Sequence, residues 1–552
     1  MKVIKFVSLI SISLFLSACG GGGSSDSSNN SGGSTPPAPV SYTVTATAGA
    51  GGTISPSSRS VTSGQTTTFT VSANTGYEID RVSGCGGSLS GDTFTTWAIT
   101  SACSVESTFK KLNFTVSVTT SGSGTVSSTK VTVPFGETAE ITALPDEEHG
   151  VFQAEGCDGI FDVGSNVYTT GEITQNCSVS IAFEGVLTGE LLGPEIFLKD
   201  TDGAFELRTD REVETDWVVS TAEGGANDAN IIITNVDEQN VTISSDLNGH
   251  YVASVTMNRG YLTAALEIPF KVATQLSENI EEDTLLLLSD SPFILTEDIF
   301  IRQEKILSAE PGVELYGQMT RDQFARTVRP NISVFGTLDF EGTSENRIYI
   351  SDIDISGGDT HSTDLFYFIK FRNVSFTDGS FHESYRRHGY LDIRHSEFKG
   401  LTQSLTRHRV SIGIERSLKP SFFIGNRFIN SGIRLLSFGS IGGKITIENN
   451  LFINPLGSFL TEYAISIHGD RNSLQLIDVQ HNSFYTDDKV AVRLYSRGAV
   501  DAPNNYWGTT DEEEIKKMIW DMNDDPALLH AIEFRPFLTE PHPDTPVYSG
   551  DD

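Results

Sequence analysis

The chain has 552 residues, with 38 Lys+Arg against 72 Asp+Glu, a formal net charge of −34. That length exceeds what one hydrophobic core organises, so several domains are expected. The excess of acid excludes general nucleic-acid binding, which needs clustered cations against phosphate, and suits a well-solvated surface.

Lys2 and Lys5 precede an apolar run, Phe6 to Leu16, too short to span a bilayer, which is the pattern of an export signal. The run ends in Leu16-Ser17-Ala18-Cys19, which resembles the lipobox of bacterial lipoproteins. The resemblance implies a signal peptide over 1–18, acylation of Cys19 and a membrane as partner through the lipid. An ordinary signal peptide with a chance cysteine at its cleavage site is the alternative. Gly20 stands where the family's sorting rules place an aspartate in inner-membrane lipoproteins, which implies the outer membrane of a diderm cell, and a surface-exposed position there is the expectation. Residues 20–40, GGGGSSDSSNNSGGSTPPAPV, cannot bury apolar surface, and 19–40 reads as a flexible tether.

An internal repeat follows. Tyr42 against Phe114, Gly64 against Gly136 and Cys85 against Cys157 are each 72 residues apart, and Phe109 against Phe183 is 74. Within each copy, runs such as Thr67-Thr-Phe-Thr-Val-Ser alternate between turns rich in Gly, Ser, Asn and Pro, predicting two small β domains over 41–111 and 112–186. Cys85, Cys103, Cys157 and Cys177 fall pairwise within the copies, so Cys85–Cys103 and Cys157–Cys177 are the expected bridges among three connectivities. Zinc is the competing reading, without a CxxC or a nearby His to support it. The run Gly51-Gly-Thr-Ile-Ser-Pro, Val61-Thr-Ser-Gly-Gln-Thr and Gly76-Tyr resembles the divergent B-repeats of bacterial surface proteins, related to internalin B-repeats, over roughly 41–185. The resemblance implies spacer or adhesive modules rather than enzymes.

Residues 187–276 form a further strand-rich block, with Trp217 and the alternation Leu247-x-Gly249-x-Tyr251-x-Ala253-x-Val255, and resemble PKD or other immunoglobulin-like sandwiches. Asp200-Thr-Asp-Gly is a candidate calcium loop, but it lacks the third ligand and distal Glu of an EF-hand, and a plain turn is the simpler reading; no other cofactor is expected.

From 277 the texture changes to short strands at solenoid spacing: Ser291-Pro-Phe-Ile-Leu-Thr, then Ile306-Leu-Ser-Ala-Glu-Pro-Gly-Val, then Ile332-Ser-Val-Phe-Gly-Thr-Leu. These lines resemble the opening coils of the right-handed parallel β-helix, the pectin-lyase-like fold, with glycines allowing the corners. An Asn/His-x(-x)-Phe element then recurs, at Asn373, His395, Asn426, Asn450 and Asn482, with Phe376, Phe398, Phe428, Phe452 and Phe484 spaced 22, 30, 24 and 32 residues apart. It predicts a stack of inward phenylalanines, the asparagines serving the turns. Asn504-Asn-Tyr-Trp-Gly-Thr, then Ile515, Met518, Ile519 and Met522 at helical spacing, resembles the terminal segment of such proteins, and Thr510 with Glu513 reads as a capping box. The β-helix with its cap is expected over 277–540, and 541–552 as an acidic tail. The fold class is therefore all-β and multi-domain.

Chemistry is sparse. No G-x-S-x-G elbow or P-loop occurs, His382 and His388 are six apart rather than at HExxH spacing, and Asp487-Asp488 is weak as a carboxylate pair. The motif series of polygalacturonases and classical pectate lyases is absent. One segment departs from the acidic background: residues 386–434 carry ten Arg/Lys against Asp392, Glu397 and Glu415. Stacked on successive coils, Arg386-Arg387-His388, Arg394-His395 and Arg407-His408-Arg409 form a patch suited to the carboxylates or sulfates of an acidic glycan. The alternative is outward charges paired with neighbouring acids. The reading is a surface lipoprotein whose β-helix binds acidic polysaccharide or a host or cell surface without catalysis. A polysaccharide lyase or hydrolase of the pectin-lyase-like class, with no assignable catalytic residue, and a purely structural rod are the alternatives.

Overall fold

A computed structural model describes residues 38–222, 231–321, 327–357, 366–382, 388–400, 412–414, 420–436, 443–453, 463–468, 476–486, 490–495 and 498–548. It divides into two units, one ending at Leu144 and resuming over Ala154–Ala182, the other comprising Pro145–Gln153 and the chain from Phe183.

In the first unit, Ser41–Ala48 lies between Ser58–Thr62, antiparallel, and Cys103–Lys111, parallel; Tyr77–Gly84 completes that sheet, and a second sheet joins Gly52–Ser55, Thr68–Ala73, Thr93–Thr95 and Ser88–Ser90. The Thr-Val-Thr-Ala alternation places Val44 and Ala46 inside, against Phe69, Val71, Phe94 and Val105. The second copy repeats the order, with Asn113–Ser121 parallel to Cys177–Gly185. Both expected bridges are present, Cys85–Cys103 and Cys157–Cys177. Each follows a glycine with no substitute. Gly84 (φ 129°) and Gly156 (φ 121°) are left-handed, and a Cβ on either would sit 2.0 or 2.1 Å from the carbonyl oxygen of Ser104 or Ser178. Loops of 18 and 20 residues make each bridge worth about 3 kcal/mol. Reductant is therefore expected to lower the denaturation midpoint of the repeats while leaving that of the cystine-free remainder unchanged, as read by urea titration with and without dithiothreitol.

In the second unit, Gly189–Leu192, Asp202–Thr209, Asn240–Ser245 and Ile231–Asn235 form one sheet of a sandwich, facing Glu214–Thr221, Gly249–Arg259 and Leu262–Leu276. Tyr251, Ala253 and Val255 face the core with Phe197, Phe205 and Phe270, as the alternation requires; Leu247 precedes the strand and is exposed. Asp200-Thr-Asp-Gly is a turn closed by the Thr201 N–H on the Leu198 oxygen, and Asp202 already begins a strand. No group of three metal-ligating side chains occurs among the described residues.

The sandwich does not end at its own edge. Thr274–Leu276 pairs in parallel with Phe293–Leu295, so one sheet runs from the sandwich into eight successive coils. Each coil has three strands: sheet A runs from Thr284–Leu286 to Ile477–Gln480, sheet B from Phe293–Leu295 to Ser483–Tyr485, and sheet C is described in two parts, Ile299–Ile301 to Ser380–His382 and Ile412–Ile414 to Ile519–Trp520. Three parallel sheets traversed in turn are the arrangement of a parallel β-helix. Ala309, Phe340, Phe371, Ile393, Phe423, Ile447 and Val479 form one inward column of sheet A.

The corners between sheets A and B turn on a left-handed residue at Asn373, His395, Gly425, Asn449, His481 and Asn504, with φ of 50° to 67°. Glycine is thus not the main corner residue; asparagine and histidine enter this region more readily than other side-chain-bearing residues. The next residue builds a ladder. Asn426, Asn450, Asn482 and Asn505 are fully buried, and each Oδ1 accepts the backbone N–H one coil earlier, of Ser396, Asn426, Asn450 and Asn482 respectively. Their amide groups donate to the oxygens of Ile393, Phe423, Ile447 and Val479. Beside them Phe398, Phe428, Phe452, Phe484 and Trp507 stack at centroid spacings of 5.2, 4.8, 5.2 and 4.9 Å, so the predicted ladder gains a tryptophan at its end, while Phe376 meets Phe398 edge-on at 6.1 Å instead of stacking.

The terminal helix is shorter than predicted, Glu512–Lys517. Its N-cap is Asp511 rather than Thr510, its carboxylate accepting the Glu513 N–H at 2.9 Å while Thr509 Oγ1 accepts the Asp511 N–H. The strand Val492–Leu494 offers an open edge, so Ile519–Trp520 pairs there instead of extending the helix. Ile515 is buried against the core while Met522 is exposed. Residues 541–548 lie along the outside of sheet B: Thr545 Oγ1 donates to the His481 oxygen at 2.9 Å, Arg427 to the Val547 oxygen at 3.0 Å, and Tyr548 packs on Tyr485 over Ile429, Leu451 and Ile453.

A candidate cationic and aromatic face on sheet C

Of the basic residues singled out in the sequence, Arg386, Arg387, Arg407, His408 and Arg409 lie outside the described residues, as do Cys19 and the side chain of His388, whose backbone begins the strand His388–Arg394. Arg394 is described, and it is compensated. Its Nε donates to the nearly buried Asp392 at 2.5 Å, and its guanidinium lies 5.1 Å from the Phe422 ring. The strand below brings Arg372 into register with Arg394, and Lys370 pairs with Asp339 at 2.8 Å, which raises the lysine pKa. The outer face of sheet A here alternates in sign. His395 is a corner residue, its ring over the next coil's Gly425 and its carbonyl accepting from Arg347. Arg427 pairs with Glu397 at 3.2 Å.

A different face carries two cations that pair with no carboxylate among the described residues. On sheet C the outward positions Arg434, Ser466, Arg493 and Trp520 stand in register on four consecutive strands. The Arg493 guanidinium lies 4.3 Å from the Tyr495 ring centre, 4.6 Å from Trp520 and 4.8 Å from Tyr463. Its Nε is buried without a hydrogen-bond partner. His468 stacks on Tyr495 at 4.0 Å. Burial, with the Arg434 charge adding to it, lowers the His468 pKa to about 4, so the ring is neutral at pH 7. Neither Arg434 nor Arg493 forms an ion pair with a carboxylate among the described residues. Ring faces beside fixed guanidinium donors can stack on a flat apolar surface while binding an anionic group in plane.

Spacing in the sequence does not reveal this face: Tyr463, Tyr495 and Trp520 are 32 and 25 residues apart and hold different places in their coils, Tyr463 two residues before the strand Ile465–His468, Tyr495 just after Val492–Leu494 and Trp520 within Ile519–Trp520. Only Arg434 falls in the basic segment noted from composition.

Comparison with known proteins bears on the first unit. Residues 42–113 match the divergent InlB B-repeat domain. The B-repeat match covers the first copy, and the second shares its strand order and bridge. No curated protein matches the chain. Among solved structures, one of three titin immunoglobulin domains carrying a Glu-to-Ala substitution is 10% identical, covering 42% of this chain and 97% of its own, at a TM-score of 0.14, too low to imply a shared architecture.

Proposed function

We propose that this is a lipid-anchored protein of the bacterial outer-membrane surface whose β-helix, of the pectin-lyase-like class, binds acidic polysaccharide without cleaving it. The anchor rests on Cys19 after its apolar run, with a tether to carry the folded part clear of the membrane. No helix among the described residues is long and apolar enough to cross a membrane. The observation that carries the binding reading is the register of Arg434, Ser466, Arg493 and Trp520, where Arg493 lies among three aromatic rings and neither arginine has a carboxylate partner among the described residues. Sugar rings present apolar faces to aromatic side chains, and uronate or sulfate groups take guanidinium hydrogen bonds worth about 1.5–3 kcal/mol each.

The test is to incubate the soluble form, residues 20–552, with polyuronates, sulfated glycans and a neutral glycan, recording co-sedimentation and the absorbance of unsaturated uronate. Retention of the acidic polymers without new absorbance is expected, weakening with salt. Arg434→Ala with Arg493→Ala should lower affinity about tenfold or more by the same guanidinium energies. Replacing Arg386, Arg394, Arg407 and Arg409 together by alanine measures the share of the neighbouring basic segment. Unchanged affinity in both variants would remove the binding reading, and new absorbance would make the protein a lyase.

A further inference from the structure

We propose that the two repeats are load-bearing modules, built so that tension along the chain is resisted by shear of their terminal strands. Strand direction decides how tension acts on each repeat. In the first repeat the opening strand Ser41–Ala48 is parallel to the closing strand Cys103–Lys111, paired from Val44↔Cys103 to Ala48↔Ser107, and the Gly49 N–H adds a bond to the Ser107 oxygen. Tension pulls the opening strand toward its N-terminus and the closing strand toward its C-terminus. For parallel neighbours these displacements slide one strand lengthwise past the other, so the evenly spaced bonds between them share the load and fail together. Were the two strands antiparallel, the same tension would open the bonds one at a time from one end.

The second repeat has the same device. Asn113–Ser121 is parallel to Cys177–Gly185, paired from Val116↔Cys177 to Ser121↔Ala182. Only Leu112 separates the closing strand of one repeat from the opening strand of the next, so tension leaves one clamp and enters the other directly. Sliding also drags buried side chains across the core: Val44, Ala46 and Val105 in one repeat, Val116, Val118, Val179 and Ile181 in the other.

The disulfides complete the design. Cys103 and Cys177 are the first residues of the closing strands, and their partners Cys85 and Cys157 follow the neighbouring antiparallel strands. Each closing strand is thus covalently tied to the body of its domain. Slip is confined to the clamp, and the 18 or 20 residues inside each bridge cannot extend. The load path holds whether or not the glycan reading does, because it concerns only the strands and bridges of the two repeats.

The experiment is single-molecule stretching of the full chain in two geometries. With handles at the two chain ends the clamps are sheared; with handles at Ala50 and Leu112 both attachments lie at one end of the first clamp, which then opens bond by bond. Two events that lengthen under reductant identify the repeats, since freeing 18 or 20 residues at 3.3–3.6 Å each adds about 6 or 7 nm. End-to-end stretching is expected to need at least about twice the force of the Ala50–Leu112 geometry at equal loading rate, since forced unfolding reads the unfolding barrier. Equal forces in the two geometries, or reductant-sensitive events at the lowest forces in the end-to-end trace, would overturn the proposal.

Discussion

Replacing Asn450 by alanine is expected to destabilise the last coils by about 3–5 kcal/mol, more than a typical core truncation per atom removed. Its Oδ1 accepts from the N–H and the side-chain amide of Asn426, at 3.0 and 2.9 Å, and its Nδ2 donates to the Phe423 oxygen and Asn482 Oδ1, at 2.8 and 2.9 Å. Alanine keeps the backbone bond to Asn482 but leaves the Asn426 N–H and its amide without that acceptor in a site closed to water. A buried donor without a partner costs about 1–3 kcal/mol. Aspartate is no rescue, because it brings a charge into the same closed site and cannot donate. Hydrogen exchange should show faster amide exchange over 426–505 with the early coils protected, since neighbours in a stacked array couple mainly to neighbours. Exchange unchanged in the last coils would mean that the ladder contributes little.

Phe428→Ala is the second large effect, with an expected loss of about 3–5 kcal/mol. Phe428 is fully buried and stacks at 5.2 Å on Phe398 and 4.8 Å on Phe452, its ring nearly parallel to both. The cavity left has rings above and below held by their own coils, so it cannot collapse easily. Phe428→Leu should recover part of the loss by filling volume without restoring the ring contacts. Denaturant titration followed by near-ultraviolet circular dichroism checks the order of the three proteins, and a leucine variant no better than alanine would assign the whole effect to stacking.

What could be read in the sequence followed what stays in phase. From the fourth coil on, the turn between sheets A and B takes only one or two residues, so an Asn or His recurs two or three residues before each Phe and the series is visible from Phe376 to Phe484. The cysteines of the repeats are similarly fixed by a glycine turn on one side and a strand start on the other. The path from sheet B to sheet C varies in length instead. Lys399 to Ile412 takes thirteen residues and Ile429 to Ile433 only four, so Arg434, Arg493 and Trp520 have no common offset until strand pairing supplies one. The helix boundary failed for a related reason: Ile519 satisfies a helical stripe, but an unpaired neighbouring strand competes for its backbone. Local pattern cannot weigh that competition.

The sheet shared by the sandwich and the coils bears on the order in which the chain is made. Synthesis delivers the sandwich first, and with it a finished strand ending at Leu276 whose free backbone groups are already aligned. When Phe293–Leu295 emerges it meets a template rather than open water, and each later coil inherits register from the one before. Winding therefore has a defined beginning and a defined direction, and the first coil never has to nucleate alone.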